Sequence, residues 1–399
     1  MSLLKGEKLD FEIRNTIRAV FNDSDIDEKY AIGEVRIVTE QARYPLTAIA
    51  EMVNSDSYIL NPDFQRRRRW NITKQSRLIE SFIINVPIPP IFLYEYKYGS
   101  YEVMDGLQRL TAISDFYLDK IRLQDLEQWP ELNEKCYSEL PPLLKAGIDR
   151  RHLSSVILLT ETAKDEVQAQ KLKQLVFERL NSGGTKLEPQ ESRNAIYDGP
   201  MNRMCVKLSY NEFLCETWKI PLPTANEYSG EEGPSTERLT NRTYQKMTDV
   251  ELVLRFFAYR QKHTLHKEGT LSNYFDRYLE NANLYSEKVL LELENLFNST
   301  IQFAYELFGE KAFFLYRERT GIWNWHNRPT IVVFDPLMFI LSNYLEHKEI
   351  FISNSEKINQ EIEEFYKLQY EIFEGRDVNT RSLQSRELLY NEFFKKYVN

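Results

Sequence analysis

The 399-residue sequence contains few cysteines and no long apolar run. Its three cysteines, Cys136, Cys205 and Cys215, form no CxxC pair. This excludes a disulfide framework, argues against structural zinc and is typical of a reducing compartment. A run of about 18 apolar residues and a signal-like amino terminus are both missing, so we expect a cytoplasmic protein with no membrane partner.

An excess of basic charge is missing as well. The chain has 51 Lys and Arg against 60 Asp and Glu, which gives a formal net charge of −9. An acidic chain is not a general nucleic-acid coat, although a local basic cleft is compatible with it. Hydrophobic residues make up 42% of the sequence and aromatic residues 13%, enough to build a large globular core.

The length predicts two or three domains. Residues 1–36 are charged and weakly periodic, and we interpret them as a surface arm or a marginal helix. Residues 37–200 alternate short apolar strands with helical segments, so we predict an α+β domain there. Residues 201–399 have almost no strand signals and predict an all-helical domain, with the turn-rich segment 221–234 as a flexible loop.

Local patterns place the secondary structure. Strands are predicted at 91–94, 101–104 and 156–160, and the first two form a hairpin across the turn at 97–100. Turns and short helices are expected at 120–150. The predicted helices are 73–84, 107–118, 163–180, 188–197, 248–259, 284–307 and 358–373.

The segment DGLQR, residues 105–109, follows a predicted strand and opens a predicted helix. Gly106 permits close backbone approach at this turn, and the helix start offers N–H groups to an anion. Arg109 provides a charged fork for phosphate oxygens, and Gln108 a neutral donor and acceptor. Asp105 suits a metal ligand or a base that orients water. The structural alternative is a common Asp-Gly turn in which Arg109 pairs with Asp105.

A basic island precedes this turn. Residues 61–69 (NPDFQRRRR), here called the arginine segment, are followed by Trp70, and residues 61–80 carry six basic and two acidic side chains, a charge of +4. Such an island can bind phosphates, and Trp70 can stack on a base. Because successive side chains diverge, about half of the four arginines are expected to face solvent. We favour Gln65 and Arg66 pointing inward.

A third block spans residues 177–195, with the sequence FERLNSGGT followed by ESRNA. The glycine pair is typical of a helix carboxy terminus, so a structural role suffices. In a functional interpretation, backbone N–H groups of the same loop face a phosphate and Asn181 contacts the ligand. Glu191 would then serve a metal or hold an arginine.

Together these blocks, with Pro87 to Ile91 (PIPPI) between them, resemble the amino-terminal domain family of GmrSD-type modification-dependent restriction enzymes, of the ParB/sulfiredoxin-like superfamily. The resemblance covers about residues 37–200. It implies a ParB/sulfiredoxin-like α+β domain that binds, and in several members hydrolyses, a nucleoside triphosphate in a system directed against foreign DNA. Arg255 to Ala258 (RFFA) is similar to the carboxy-terminal half of members that lack a nuclease domain.

Carried onto this sequence, the resemblance implies a set of site residues. The implied nucleotide-binding residues are Gln65, Arg66, Gly106, Arg109, Asn181 and Gly184. The implied catalytic residues are Asp105, Gln108 and Arg109. Asp105 and Glu191 would hold magnesium, which neutralises phosphate charge in phosphoryl transfer.

One position departs from the family motif, because Leu107 stands where the family has glutamine. If that glutamine positions water or a base, its loss lowers activity. If it packs behind the turn, leucine is harmless.

A separate nuclease site would need a histidine-based metal motif. His326 to Pro329 (HNRP) matches a His-x-x-Pro motif, but an apolar run follows it instead of an Asn-rich segment. His263 and His266 have the spacing to share a helix face, yet no third metal ligand is evident. We therefore expect any DNA cleavage to come from the first domain or from a partner nuclease or defence protein.

Three functions remain open. The first is a magnesium-dependent nucleoside triphosphatase of a restriction or phage-defence system. The second is a ParB-like DNA-binding or nicking module switched by nucleotide, for which the arginine segment is the evidence. The third is a non-catalytic regulatory protein with a relic pocket, for which Leu107 is the evidence.

Overall fold

The computed structural model describes residues 3–7, 23–24, 27, 37–60, 70–159, 169, 172–173, 175–177, 179–180, 188–229, 233–261, 270–374 and 380–398. The chain divides into two compact units. Residues 14–187 form one, here called the sheet unit, and residues 1–13 with 188–399 form the other, the helical unit. The domain boundaries at 36 and 200 remain sequence predictions.

The sheet unit contains a five-stranded mixed sheet in the order β1-β5-β3-β4-β2. Its strands are β1 (Thr39–Pro45), β2 (Tyr58–Ile59), β3 (Ile91–Lys97), β4 (Ser100–Asp105) and β5 (His152–Leu158). Strand β3 pairs in parallel with β5 and antiparallel with β4, while β2 runs parallel to β4. The three predicted strands are confirmed, and so is the hairpin, in which Lys97 pairs with Ser100 and Gly99 has a φ of +68°.

Helices pack on one face of this sheet around the hydrophobic core. They are α1 (Ile49–Val53), α2 (Ile72–Ile83), α3 (Leu107–Tyr117) and α4 (Pro142–Asp149). The predicted apolar stripe of α2 is confirmed, because Leu78, Ile79 and Phe82 are buried in the core. Short 3₁₀ helices at Pro130–Leu132 and Tyr137–Glu139 confirm the prediction for 120–150. Much of the predicted helix 163–180 lies outside the described residues.

The sheet is strongly curled. Tyr44 on β1 and Tyr58 on β2 belong to opposite edge strands, yet their ring centroids lie 6.5 Å apart. Neighbouring strands of a flat sheet are about 4.8 Å apart, so four such steps would separate these edges by about 19 Å. The edges therefore approach each other on the face that carries both tyrosines.

The helical unit confirms the predicted helical second half. Its helices are α5 (Pro189–Ile196), α6 (Pro200–Leu208), α7 (Glu212–Thr217), α8 (Ala225–Ser229), α9 (Thr236–Thr240), α10 (Arg242–Gln245), α11 (Thr248–Tyr259), α12 (Leu271–Ala282), α13 (Glu287–Phe308), α14 (Ile331–Asn343), α15 (Lys348–Ser353), α16 (Ser355–Leu368), α17 (Tyr370–Phe373) and α18 (Thr380–Val398). Short 3₁₀ helices lie at Gly309–Lys311 and Leu345–His347.

Three details differ from the sequence predictions. A hairpin of β6 (Phe314–Arg319) and β7 (Ile322–Pro329) interrupts the helices, closed by Thr320 and Gly321, which both have positive φ. The segment 221–234 contains α8, and Glu227 of that helix forms a buried ion pair with Arg238, so this part is anchored. Glu7 is also not a surface residue: it is 1% exposed and accepts two hydrogen bonds from Arg260 at 2.7 Å.

Candidate functional site

The candidate site centres on the turn from β4 to α3. Gly106 caps α3 with a φ of +100°, a left-handed conformation that side chains with a Cβ rarely adopt. A Cβ on Gly106 would also lie 2.3 Å from Cγ2 of Ile91, the first residue of β3. The glycine is therefore required twice, by the backbone conformation and by the close packing of the turn against β3.

Arg109 and Asp105 form an ion pair across this turn. The Nη2 group of Arg109 donates to Oδ2 of Asp105 at 2.5 Å, and its Nη1 group donates to the carbonyl oxygen of Pro89 at 3.0 Å. The side chain of Arg109 is 12% exposed, whereas that of Asp105 is 50% exposed. The pairing that the structural alternative expected is thus present. The guanidinium is held in place, and the carboxylate remains open to solvent.

Gln108 joins the turn to the residue that follows the arginine segment. Its side-chain oxygen accepts a hydrogen bond from the backbone N–H of Trp70 at 3.0 Å. The carbonyl of Trp70 in turn accepts from the side chain of Gln75, and the Nζ of Lys74 lies 4.7 Å from the centre of the Trp70 ring. The sequence predicted a catalytic role for Gln108 and gave no signal for this contact, because Gln108 and Trp70 lie 38 positions apart.

Leu107 points into the protein. It is 9% exposed and belongs to the hydrophobic core of the sheet unit, together with Ile91, Leu110 and Ile113. Of the two roles considered for this position, the structure places its side chain behind the turn.

The described residues on either side of the arginine segment, in β2 and at Trp70, lie on the same side of the sheet as the turn. The parallel pairing of β2 with β4 directs both strands toward one edge, so the chain leaves β2 toward the end of β4 that carries Asp105. The chain is next described at Trp70, which is bound to Gln108. Gln65, Arg66 and the remaining arginines lie outside the described residues, and their inward orientation stays a prediction.

The third block is split by the division into units. Asn181 and Gly184 lie outside the described residues. Glu191 lies in the helical unit, in the first turn of α5, where its Oε2 accepts the backbone N–H of Glu188 at 2.8 Å in a capping box. Glu191 is 3% exposed, so its carboxylate has a structural task in this helix.

The same block contains an anchoring residue that the sequence analysis missed. Arg193 is almost fully buried and donates to Asp276 at 2.8 Å, to Ser272 at 2.9 Å and to Glu251 at 3.4 Å. It thereby links α5 to α11 and α12. A lone arginine between polar neighbours carried no periodic signal that could have revealed this role.

Metal ligands are sparse. Among the described residues, no group of three or more His, Cys, Asp and Glu side chains is arranged to hold a metal ion. Magnesium commonly binds one or two carboxylates and completes its shell with water and substrate phosphates. The half-exposed carboxylate of Asp105 could serve as one such ligand. Glu191, the other predicted ligand, belongs to the other unit.

Of the histidines considered as nuclease or metal ligands, only His326 lies among the described residues. His326 lies on β7 between Arg317 and Arg328, and His263 and His266 lie outside the described residues. All three cysteines are buried free thiols. Across the parts of the chain that the structure describes, no helix has both the length and the apolar character that crossing a membrane demands.

These residues define a charged strand-to-helix turn. The turn is capped by a glycine and lies at the end of an interior strand of a curled mixed sheet. Residues 49–197 match the family described as GmrSD restriction endonuclease, N-terminal domain. The match includes the whole turn and the arginine segment, confirms the resemblance seen in the sequence and associates the chain with restriction systems. Neither a curated protein nor a solved structure matches the chain.

Proposed function

We propose that this protein is a component of a DNA restriction or phage-defence system and that its sheet unit binds a nucleoside triphosphate at the turn of residues 105–109. The family match supports the first part. The observation that carries the second part is the position of Arg109, which is held by Asp105 and Pro89 at the start of α3. A helix start with a positioned guanidinium favours a bound phosphate.

Binding would proceed by exchange of partners. A phosphate of the nucleotide would replace Asp105 as a partner of Arg109, whose guanidinium carries five N–H donors. The freed Asp105 carboxylate would bind magnesium, whose charge offsets that of the phosphates. The arginine segment is followed by Trp70, which is bound to Gln108 of this turn, and its arginines would supply further positive charge. Hydrolysis needs a water oriented toward the terminal phosphate, and Asp105 and Gln108 are the candidates to orient it.

Nucleotide binding and phosphate release by wild type, Arg109→Ala and Asp105→Ala test this proposal. We expect Arg109→Ala to weaken binding at least about tenfold, as expected for loss of a charged hydrogen bond of about 1.5 to 3 kcal/mol. Asp105→Ala should weaken nucleotide binding in the presence of magnesium more than nucleotide binding in its absence.

The matched control is Arg122→Ala. Arg122 also pairs with a carboxylate in the sheet unit, that of Glu139 at 2.8 Å, and none of its hydrogen bonds is to a residue of the turn. It should bind nucleotide as wild type does. Equal binding by all four proteins, or no binding by wild type to any common nucleoside triphosphate, contradicts the proposal.

A second candidate is a regulatory protein that binds nucleotide without turning it over. Two observations favour it: Arg109 is already paired with Asp105, and Leu107 is packed in the core in place of the family's glutamine. Quantification of phosphate released per protein chain separates the two. Many turnovers support the hydrolase, while bound nucleotide that stays intact for hours supports the regulator. In both cases DNA cleavage is assigned to the sheet unit or a partner nuclease.

A further inference from the structure

The hairpin of β6 and β7 has two faces of different chemistry. Residues alternate between the faces of a strand, and the observed pairs are Tyr316 with Trp325, Arg317 with Asn324 and Glu318 with Trp323. One face therefore carries Tyr316, Glu318, Trp323 and Trp325. The other, here called the basic face, carries the exposed Ile322 together with Arg317, Arg319, Asn324, His326 and Arg328.

The aromatic face is packed against the helical unit. Trp325 lies in edge contact with Tyr366 of α16, and its Nε1 donates to Glu363 at 2.9 Å. Trp323 is in edge contact with Tyr370 of α17 at a centroid distance of 5.2 Å. These contacts fix the orientation of the hairpin and leave the basic face directed away from the helices.

The basic face gathers positive charge without a counter-charge. Arg319, Asn324 and Arg328 are exposed, and Arg317 and His326 are half-buried. Among the described residues, no carboxylate lies within ion-pair distance of Arg317, Arg319 or Arg328. Other exposed arginines of the chain do have such a partner, as in the pairs of Arg203 with Asp198 and Arg122 with Glu139.

His326 lies between two of these arginines. Nη2 of Arg317 lies 3.2 Å from its Nδ1, and Nε of Arg328 lies 3.1 Å from its Nε2. Guanidinium groups only donate, and a neutral imidazole accepts through one nitrogen alone. One of the two contacts therefore sets donor against donor beside two like charges. An anion on this face would accept the surplus donors and offset the repulsion.

The length of the face indicates the kind of anion. Residues of a strand advance by about 3.3 Å, and the six steps from Ile322, the partner of Arg319, to Arg328 include the bulge before Pro329, so Arg328 lies less than about 20 Å along the ribbon from that end. A single phosphate is too small to contact both ends. A polynucleotide presents phosphates at regular intervals along such a length, and the major groove of duplex DNA admits a two-stranded ribbon.

We propose that the basic face of the β6–β7 hairpin binds the phosphate backbone of duplex DNA. This surface belongs to the helical unit and uses none of the residues of the turn at 105–109. It gives the chain a DNA contact of its own that does not depend on nucleotide binding.

The test is fluorescence anisotropy with a labelled 25-base-pair duplex, titrated with wild type and with Arg317→Gln/Arg319→Gln/Arg328→Gln at several salt concentrations. Each lost phosphate contact reduces the salt slope by about 0.9. We therefore expect the triple variant to lower the slope by about 2 to 3 and to weaken binding at least about tenfold at 0.1 M salt. The triple Arg→Lys variant keeps the charges and should retain most of the slope.

Lys288→Gln/Lys357→Gln/Lys395→Gln is the matched control, because it removes the same charge from exposed positions elsewhere on the helical unit. Circular dichroism and thermal unfolding verify that all variants fold. Wild-type affinity in the hairpin variant, an equal loss in the control, or no duplex binding by wild type at 50 mM salt overturns the proposal. So does binding of polyglutamate through these arginines when duplex DNA is not bound, since the partner would then be an acidic protein.

Discussion

The side-chain oxygen of Gln108 accepts the backbone N–H of Trp70 at 3.0 Å, across 38 positions of sequence. This single bond connects the start of α3 to the residue that follows the arginine segment. It brings two of the sequence blocks that characterise the family to one place. It also fixes the side chain of the neutral residue next to Arg109.

Substitution of Gln108 tests this connection. Gln108→Ala leaves the Trp70 N–H without its acceptor, which costs about 1 to 3 kcal/mol if the group stays buried. We expect trypsin to cleave after Arg66 to Arg69 faster in this variant, because the end of the segment is released. Gln108→Glu keeps an acceptor and should retain the wild-type rate. Gln128→Ala, an exposed glutamine of the same unit, is the control, and equal cleavage of all variants counts against the role of Gln108.

Gly106 should tolerate no side chain. Gly106→Ala places a Cβ in a left-handed conformation and 2.3 Å from Ile91, and we expect it to lower the free energy of unfolding by about 2 kcal/mol or more. Gly147→Ala is the matched control, since it lies in α4 with no atom within 4 Å of the added Cβ. It should be neutral or stabilising by up to about 1 kcal/mol. Urea unfolding measures both, and a neutral Gly106→Ala would show that the turn relaxes.

Restoring the family residue at position 107 should destabilise the protein. Leu107→Gln buries an amide in the apolar core, at a cost of about 1 to 3 kcal/mol. We expect a lower melting temperature and no gain in phosphate release. Leu143→Gln, at a position that is 88% exposed, should leave the melting temperature unchanged. A more active Leu107→Gln would instead show that the glutamine reaches the reacting groups.

His326 should titrate below an ordinary histidine. Burial lowers its pKa, as do the charges of Arg317, Arg328 and Arg319. The unfolded histidine ionises near pH 6.5. Between the lowered pKa and 6.5 the unfolded chain binds more protons, so this group's contribution to stability is present above pH 6.5 and is lost as the pH falls.

The titration can be followed by the NMR signal of the His326 ring, assigned with His326→Asn. We expect a midpoint below 6.5 that rises in Arg317→Gln/Arg328→Gln. Duplex DNA should also raise the wild-type midpoint, because bound phosphates offset the arginine charges. A midpoint at 6.5 that neither change moves would show that the arginines do not act on this ring.

Local sequence signals predicted the elements that carry the site well. Three elements were predictable: the strand before Asp105, the helix from Leu107 and the apolar stripe of α2. Their signals are the spacing of apolar residues, the position of the glycine and the β-branched side chains, which all act within a few residues of the chain. The hairpin at 314–329 was missed, although Thr320 and Gly321 between alternating aromatic residues were its signal. The hairpin was missed because helical patterns flank this alternation on both sides and because the apolar start of α14 follows it directly.

The sequence by itself determined which blocks belong together: a strand, a glycine turn, a charged helix start and a preceding basic segment, in the order of the restriction-enzyme domain. Only the tertiary structure decided what their side chains contact. It paired Arg109 with Asp105, placed Leu107 in the core, tied Gln108 to Trp70 and gave Arg193 a buried anchoring role. The physical reason is that secondary structure follows from neighbours along the chain. The partner of a charged or polar side chain depends on which distant segments the folded core brings within a few ångströms.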